Sequence, residues 1–109
     1  MNTIRHLLPA ALVSLSLCAD AQAQDAAAGR AKAQACVVCH GLDGISIQPD
    51  APNLAGQPAL YLRAQLRAFR SGERRNEVMA VMAKPLTDDE IANLAAWYAS
   101  IKVQAQVPR

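Results

Sequence analysis

Cys36-Val37-Val38-Cys39-His40 is the stretch on which the reading of this chain turns. Two thiols stand three positions apart, and an imidazole follows the second directly. A C-x-x-C pair on its own fits a structural disulfide, a dithiol redox couple or part of a zinc site. A thioredoxin-like couple needs a strand–helix–strand frame, and no strand signal surrounds these residues. Structural zinc usually takes four Cys or His ligands, and no second cluster follows to complete the set. The His in the fifth position gives a fuller pattern, the attachment sequence of c-type haem. Each thiol there adds to one of two haem vinyl groups, and the two intervening residues space the sulfurs to match the vinyls. The adjoining His then lies beneath the ring and presents Nε2 to the iron.

Moving toward the N-terminus, Met1 to Ala23 reads as a secretory leader. Arg5 supplies the positive start, Leu7 to Leu17 an apolar run, and Ala21-Gln22-Ala23 a small-x-small cleavage site. The apolar run is shorter than the roughly 20 residues that span a bilayer. Cleavage after Ala23 is expected, leaving residues 24–109 as one domain in an oxidising compartment, a bacterial periplasm. Cys18 and His6 leave with the leader, so Cys36, Cys39 and His40 are what remain of those residue types.

The composition agrees with a small globular unit. The chain has 109 residues, 52% hydrophobic, 18% charged and 4% aromatic, with a formal net charge of +2. That excludes a disordered charged tail and a disulfide-dense scaffold, and the charge is too small to point to nucleic acid. One Phe, one Trp and two Tyr make a thin core, which a cofactor would supplement.

Helical signals lie on both sides of the motif. Asp25 can cap a helix from Ala26 to about Ala35, and Gly29 inside it suits a close helix approach. Gly41 to Gln57 reads as a long loop, a length that in small domains usually serves a function. A second helix is expected from Pro58 to Ser71, with Gly72 as its stop and Ala59, Leu62, Leu66 and Phe69 on one buried face. Glu73 to Leu86 reads as a second irregular stretch. Thr87-Asp88-Asp89-Glu90 is a capping box, and Ile91, Leu94, Tyr98 and Ile101 mark the buried face of a last helix ending near Lys102. The fold class is small all-α, with three main helices and long loops.

These motifs, in this order, resemble a class I cytochrome c of the short bacterial kind, similar to one domain of a dihaem cytochrome c4. Ala26 to Ala33 resembles the family's first helix, and Cys36 to Gly41 with Asp43-Gly44 resembles its haem loop. Pro52 to Gln57 with Tyr61-Leu62 resembles its middle. Met79-x-x-Met82 with Leu86 to Ile91 and Trp97-Tyr98 resembles its C-terminal half. The resemblance implies one covalently bound haem c, with His40 as one axial iron ligand and a Met thioether as the other. Met79 and Met82 both lie in the matching segment. The family register, eight residues before Thr87, selects Met79. A thioether favours ferrous iron relative to a second imidazole and so raises the potential. Pro52 resembles the proline whose carbonyl accepts the Nδ1–H of the ligand His. Gly29 and Trp97-Tyr98 resemble the crossing of the first and last helices.

With both axial positions filled, no substrate can reach the iron. The resemblance therefore implies a one-electron carrier rather than an enzyme. Its partners would be redox proteins such as a membrane respiratory complex, an oxidase, a reductase or a dehydrogenase, with no nucleic acid and no membrane insertion after leader cleavage. A dedicated cytochrome subunit of a periplasmic dehydrogenase uses the same domain, and self-association as a dimer stays open. A haemless thiol or zinc module is the alternative from another class. Arg63, Arg67, Arg70 and Arg74 share one helical stripe, which reads first as a solvated face and second as a docking patch or propionate partner. Arg74, Arg75 and Asn76 also lie close before the methionines, within reach of a propionate.

Overall fold

The computed structural model describes residues 24–109. The leader expected over residues 1–23 lies outside them. The described residues form helices joined by turns and loops, with no strand among them. Helix α1 spans Ala26–Lys32, a 3₁₀ turn follows over Ala33–Cys36, and α2 is the short helix Val37–His40. Helices α3 (Ala59–Ser71), α4 (Glu77–Ala83) and α5 (Asp88–Ser100) complete the fold. The all-α class holds. The expected first helix, read to about Ala35, is α-helical only to Lys32; from Ala33 it tightens into the 3₁₀ turn that carries the chain into the cysteine motif.

Each helix starts where local chemistry starts it. The Asp25 carboxylate accepts from the Ala27 and Ala28 backbone N–H groups at 2.8 and 3.1 Å, satisfying donors that the first turn leaves open. Thr87 and Glu90 form the expected reciprocal box: Glu90 N–H donates to Thr87 Oγ1 at 3.1 Å, and Thr87 N–H donates to Glu90 Oε2 at 2.9 Å. Pro58 stands at the N-cap of α3 with ψ near 133°, one position before the helix rather than in its first turn. Gly72 ends α3 in the left-handed conformation.

The expectation of an irregular stretch from Glu73 to Leu86 is corrected by α4. The Asn76 side chain accepts the Met79 N–H at 2.8 Å and nucleates this seven-residue helix. Both methionines therefore stand on a helix and not in a loop.

Three contacts hold the assembly. Helices α1 and α5 cross at Gly29, where an added Cβ would lie 1.9 Å from the Asn93 carbonyl oxygen and 2.9 Å from Trp97 Cβ. The glycine is a requirement of the crossing. Asn93 Oδ1 also accepts the Asp25 N–H at 2.9 Å, Lys32 pairs with Glu90 at 2.7 Å, and Arg30 lies over the Trp97 ring. Helix α3 packs on α5 through Leu62, Leu94, Ala95 and Tyr98, with Ala33 closing the cluster. Arg70 ties α3 to the start of α5, donating to the Leu86 carbonyl at 2.9 Å and to Asp88 Oδ1 at 2.7 Å. Helix α4 packs against α3.

Candidate functional site

His40 ends α2, and the chain must turn away at once. Gly41 makes that turn at φ 76°, and a Cβ there would lie 1.9 Å from the Ile45 carbonyl oxygen. The loop then folds back beneath the imidazole. Leu54 and Ala55 N–H groups donate to the Gly44 carbonyl at 2.7 and 3.0 Å. Ser46 N–H donates to Asn53 Oδ1 at 2.7 Å, and the Ser46 hydroxyl sits 3.0 Å from the Cys39 carbonyl. Gly56 N–H donates to the Tyr98 carbonyl at 2.9 Å, which fastens the loop to α5.

This scaffold places the Pro52 carbonyl 2.8 Å from His40 Nδ1. A carbonyl only accepts, so Nδ1 carries a proton, and in the neutral ring the lone pair is then on Nε2. The imidazole is 7% exposed and is the one buried polar or charged residue described in the core. It is thus fixed in tautomer and orientation with its free nitrogen available as a ligand.

Cys36 and Cys39 are half-buried free thiols. Burial pushes the Cys36 thiol up, a Tyr98 hydrogen-bond contact and Lys32 oppose it, and Cys39 adds to the rise. Cys36 therefore stays a neutral thiol at neutral pH. Met79, in the first turn of α4, is half-buried, whereas Met82 is 38% exposed. The structure joins Cys36, Cys39, His40 and Pro52 through one turn and one hydrogen bond, and puts Met79 on a separate element that packs on α3.

The arginine stripe has another use. Arg67 and Arg70 both reach Asp88, and Arg63 adds to the positive field there. Arg74 donates to Gln65 Oε1 at 2.6 Å and stacks over the Phe69 ring. Asn76 caps α4. The stripe is a solvent-facing surface, as expected first, whose arginines also make exposed ion pairs and hydrogen bonds within the fold. Ser46 and Tyr98 were missed as neighbours of the motif. Tyr98 carried the signals of a buried helix position and of the helix crossing but none toward the cysteines, and Ser46 only that of a loop serine.

The donor set tests the cofactor. Among the described residues no group of three or more His, Cys, Asp and Glu side chains is placed to hold a metal ion. Two unpaired thiols beside an imidazole with a free Nε2 fit a haem attached through thioethers and ligated from one face. Residues 26–102 match the family described as Cytochrome c. The chain belongs to the cytochrome c family. It is 47% identical over 81 residues to cytochrome c-554(548) of Halomonas halodenitrificans, covering 72% of this chain and 98% of that one. It is 45% identical to the thiosulfate dehydrogenase electron acceptor of Thiomonas intermedia, over 70% of this chain and 36% of that one. The crystal structure of reduced cytochrome c4 from Pseudomonas stutzeri superposes with a TM-score of 0.69 at 38% identity, over 73% of this chain and 47% of that chain. The chain thus spans nearly all of one relative and about half or less of the other two. As a cytochrome c it carries haem c, with Cys36-x-x-Cys39-His40 as the attachment motif. No helix among the described residues is long and apolar enough to cross a membrane.

Proposed function

We propose that this cytochrome c is a periplasmic one-electron carrier with His40 and Met79 as axial ligands. The observation that carries the reading is the 2.8 Å contact between His40 Nδ1 and Pro52 O. It serves a histidine whose Nε2 donates to a metal, within a family defined by covalent haem. The haem supplies a reversible one-electron couple at iron.

The chain's own residues do the rest. Cys36 and Cys39 fix the group covalently, so that it cannot leave between redox partners. His40, oriented by Pro52, would hold the iron through Nε2. Met79 would supply the second protein ligand; its half-buried position on the Asn76-capped turn supports it over Met82. Two fixed protein ligands leave no position for a substrate and keep reorganisation small, which suits transfer through the haem edge and not bond-making catalysis. The leader pattern read in residues 1–23 supports export to the periplasm.

A second reading has a specific observation behind it. The Thiomonas intermedia relative is named as the electron acceptor of a dehydrogenase, so this unit can equally serve one dedicated enzyme. Co-purification of a stoichiometric dehydrogenase at native levels favours that reading, and a free monohaem protein favours the diffusible carrier.

The test of the site is the optical spectrum of chain exported with the haem-attachment machinery. Colour that resists acid–acetone extraction, sharp reduced α and β bands, and a weak red band from methionine to ferric iron are expected. Met79→Ala removes the red band and lowers the potential, and Met82→Ala keeps both. Loss of the red band in Met82→Ala alone would reverse the ligand assignment, and absence of colour would return the cysteines to thiol chemistry.

A further inference from the structure

Two buried side-chain polar atoms among the described residues have no hydrogen-bond partner, Trp97 Nε1 and Tyr98 Oη. Trp97 belongs to the crossing with α1. Tyr98 points elsewhere. Its side chain is 3% exposed and belongs to the core cluster with Ala33, Leu62, Leu94 and Ala95. Its ring is held against Gly44, where a Cβ would lie 2.8 Å from Cδ1. Its backbone carbonyl is held by Gly56 N–H. The ring therefore has little freedom to carry its hydroxyl away to solvent.

The group that the hydroxyl meets is Cys36. The two side chains are neighbours, and each acts on the other's titration. The hydroxyl itself has no well-formed hydrogen-bond partner. Burial, then the Cys36 charge and contact, push the phenol up, so it is a neutral O–H donor under all ordinary conditions. A buried hydroxyl without an acceptor is costly, and native proteins rarely keep one without a reason.

Covalent attachment changes what Cys36 offers. A thiol carries a proton of its own and competes as a donor. A thioether sulfur carries none and is purely an acceptor, though a weak one. We infer that the Tyr98 hydroxyl donates a hydrogen bond to the thioether sulfur of Cys36, pairing the one with the other once haem is attached. Tyr98 is then a positioning residue, acting on the haem through the sulfur. Drawing lone-pair density from that sulfur makes the macrocycle poorer in electrons and favours the ferrous state. The inference rests on the haem attachment proposed above at Cys36.

The test uses the exported holoprotein and Tyr98→Phe, which keeps the ring and deletes only the donor. Extraction-resistant colour is checked first, because its absence from the unsubstituted protein sinks the attachment reading itself. With colour present, spectroelectrochemistry should show the ferrous-to-ferric ratio at a fixed potential falling about threefold in Tyr98→Phe, which is about 30 mV at 59 mV per tenfold for one electron. The red methionine band should stay, since no axial ligand is touched. An unchanged potential overturns the proposal. A second readout needs no variant: the C–S stretching band in the resonance Raman spectrum of the unsubstituted protein should shift when exchangeable hydrogens are replaced by deuterium. An unshifted band after complete exchange also overturns it. A purely structural tyrosine would alter the unfolding midpoint in Tyr98→Phe and leave both spectroscopic readouts where they are.

Discussion

Gly29 sets two effects of opposite sign against each other. It lies inside α1, and replacing a mid-helix glycine with alanine ordinarily stabilises by about 1 kcal/mol. The same methyl group here would sit 1.9 Å from the Asn93 carbonyl oxygen and 2.5 Å from its carbon. Those are backbone atoms of α5 and cannot swing aside as a side-chain tip would. Forcing added volume into a packed contact costs about 1–3 kcal/mol, and a backbone obstacle belongs at the upper end. The clash wins, and Gly29→Ala should lower the unfolding free energy of the holoprotein by about 2 kcal/mol in urea titration. A neutral or stabilised variant would mean that α1 and α5 separate without penalty. The sequence already carried half of this argument, because a glycine inside an alanine-rich helix has no local reason to be there. Which helix it met needed the family register as well, since Asn93 is 64 positions further along the chain.

Helices differ in how plainly they announce themselves. The last was legible from its cap and its buried face: Thr87 and Glu90 close the box, and Ile91, Leu94 and Tyr98 are buried as their spacing requires. Helix α4 was not. Its seven residues hold too few turns for a period to show, and its valines weigh against helix. The signal that could have found it is Asn76 followed by Glu77, an N-cap and a first-turn acid. The start of α5 also determines how the protein meets acid. Hydrogen bonding from Arg70, then the charge of Arg67, holds the Asp88 carboxyl below its usual value. Lys32, then the Thr87 backbone N–H, does the same for Glu90. A carboxylate whose pKa is lower folded than unfolded contributes stability above its unfolded value, near 4, and loses it as pH falls through the folded value. Both side chains meet water, so the effect is screened and modest. Urea midpoints should be flat from pH 7 to about 5 and fall below about 4. The double variant Asp88→Asn, Glu90→Gln should start lower at pH 7 and converge on the parent in acid. Parallel curves across the whole range would exclude these two carboxylates as the source of the acid limb.

At the scale of the molecule, the helices enclose little. Ile91 and Leu94 are the largest side chains that are fully buried among the described residues, and four of the nine buried hydrophobics are alanines, Ala33, Ala55, Ala83 and Ala95. Large apolar residues such as Ile47, Leu60, Val78 and Val81 stay exposed on the loop, α3 and α4. A core of this kind supplies about 3–5 kcal/mol at most, before loops as long as Gly41 to Gln57 are ordered. The haem would add one large apolar body, and its covalent and axial bonds would tie the cysteine turn and α4 to it. Folding and cofactor binding are then one equilibrium, as in small metal domains. The chain with Cys36→Ala and Cys39→Ala, exported without attached haem, should show reduced helical circular dichroism and no cooperative thermal transition. The holoprotein should melt as a single unit. Near-native ellipticity with a sharp transition in the double alanine chain would show that the helical crossings suffice without the cofactor, and would confine the haem's contribution to electron transfer.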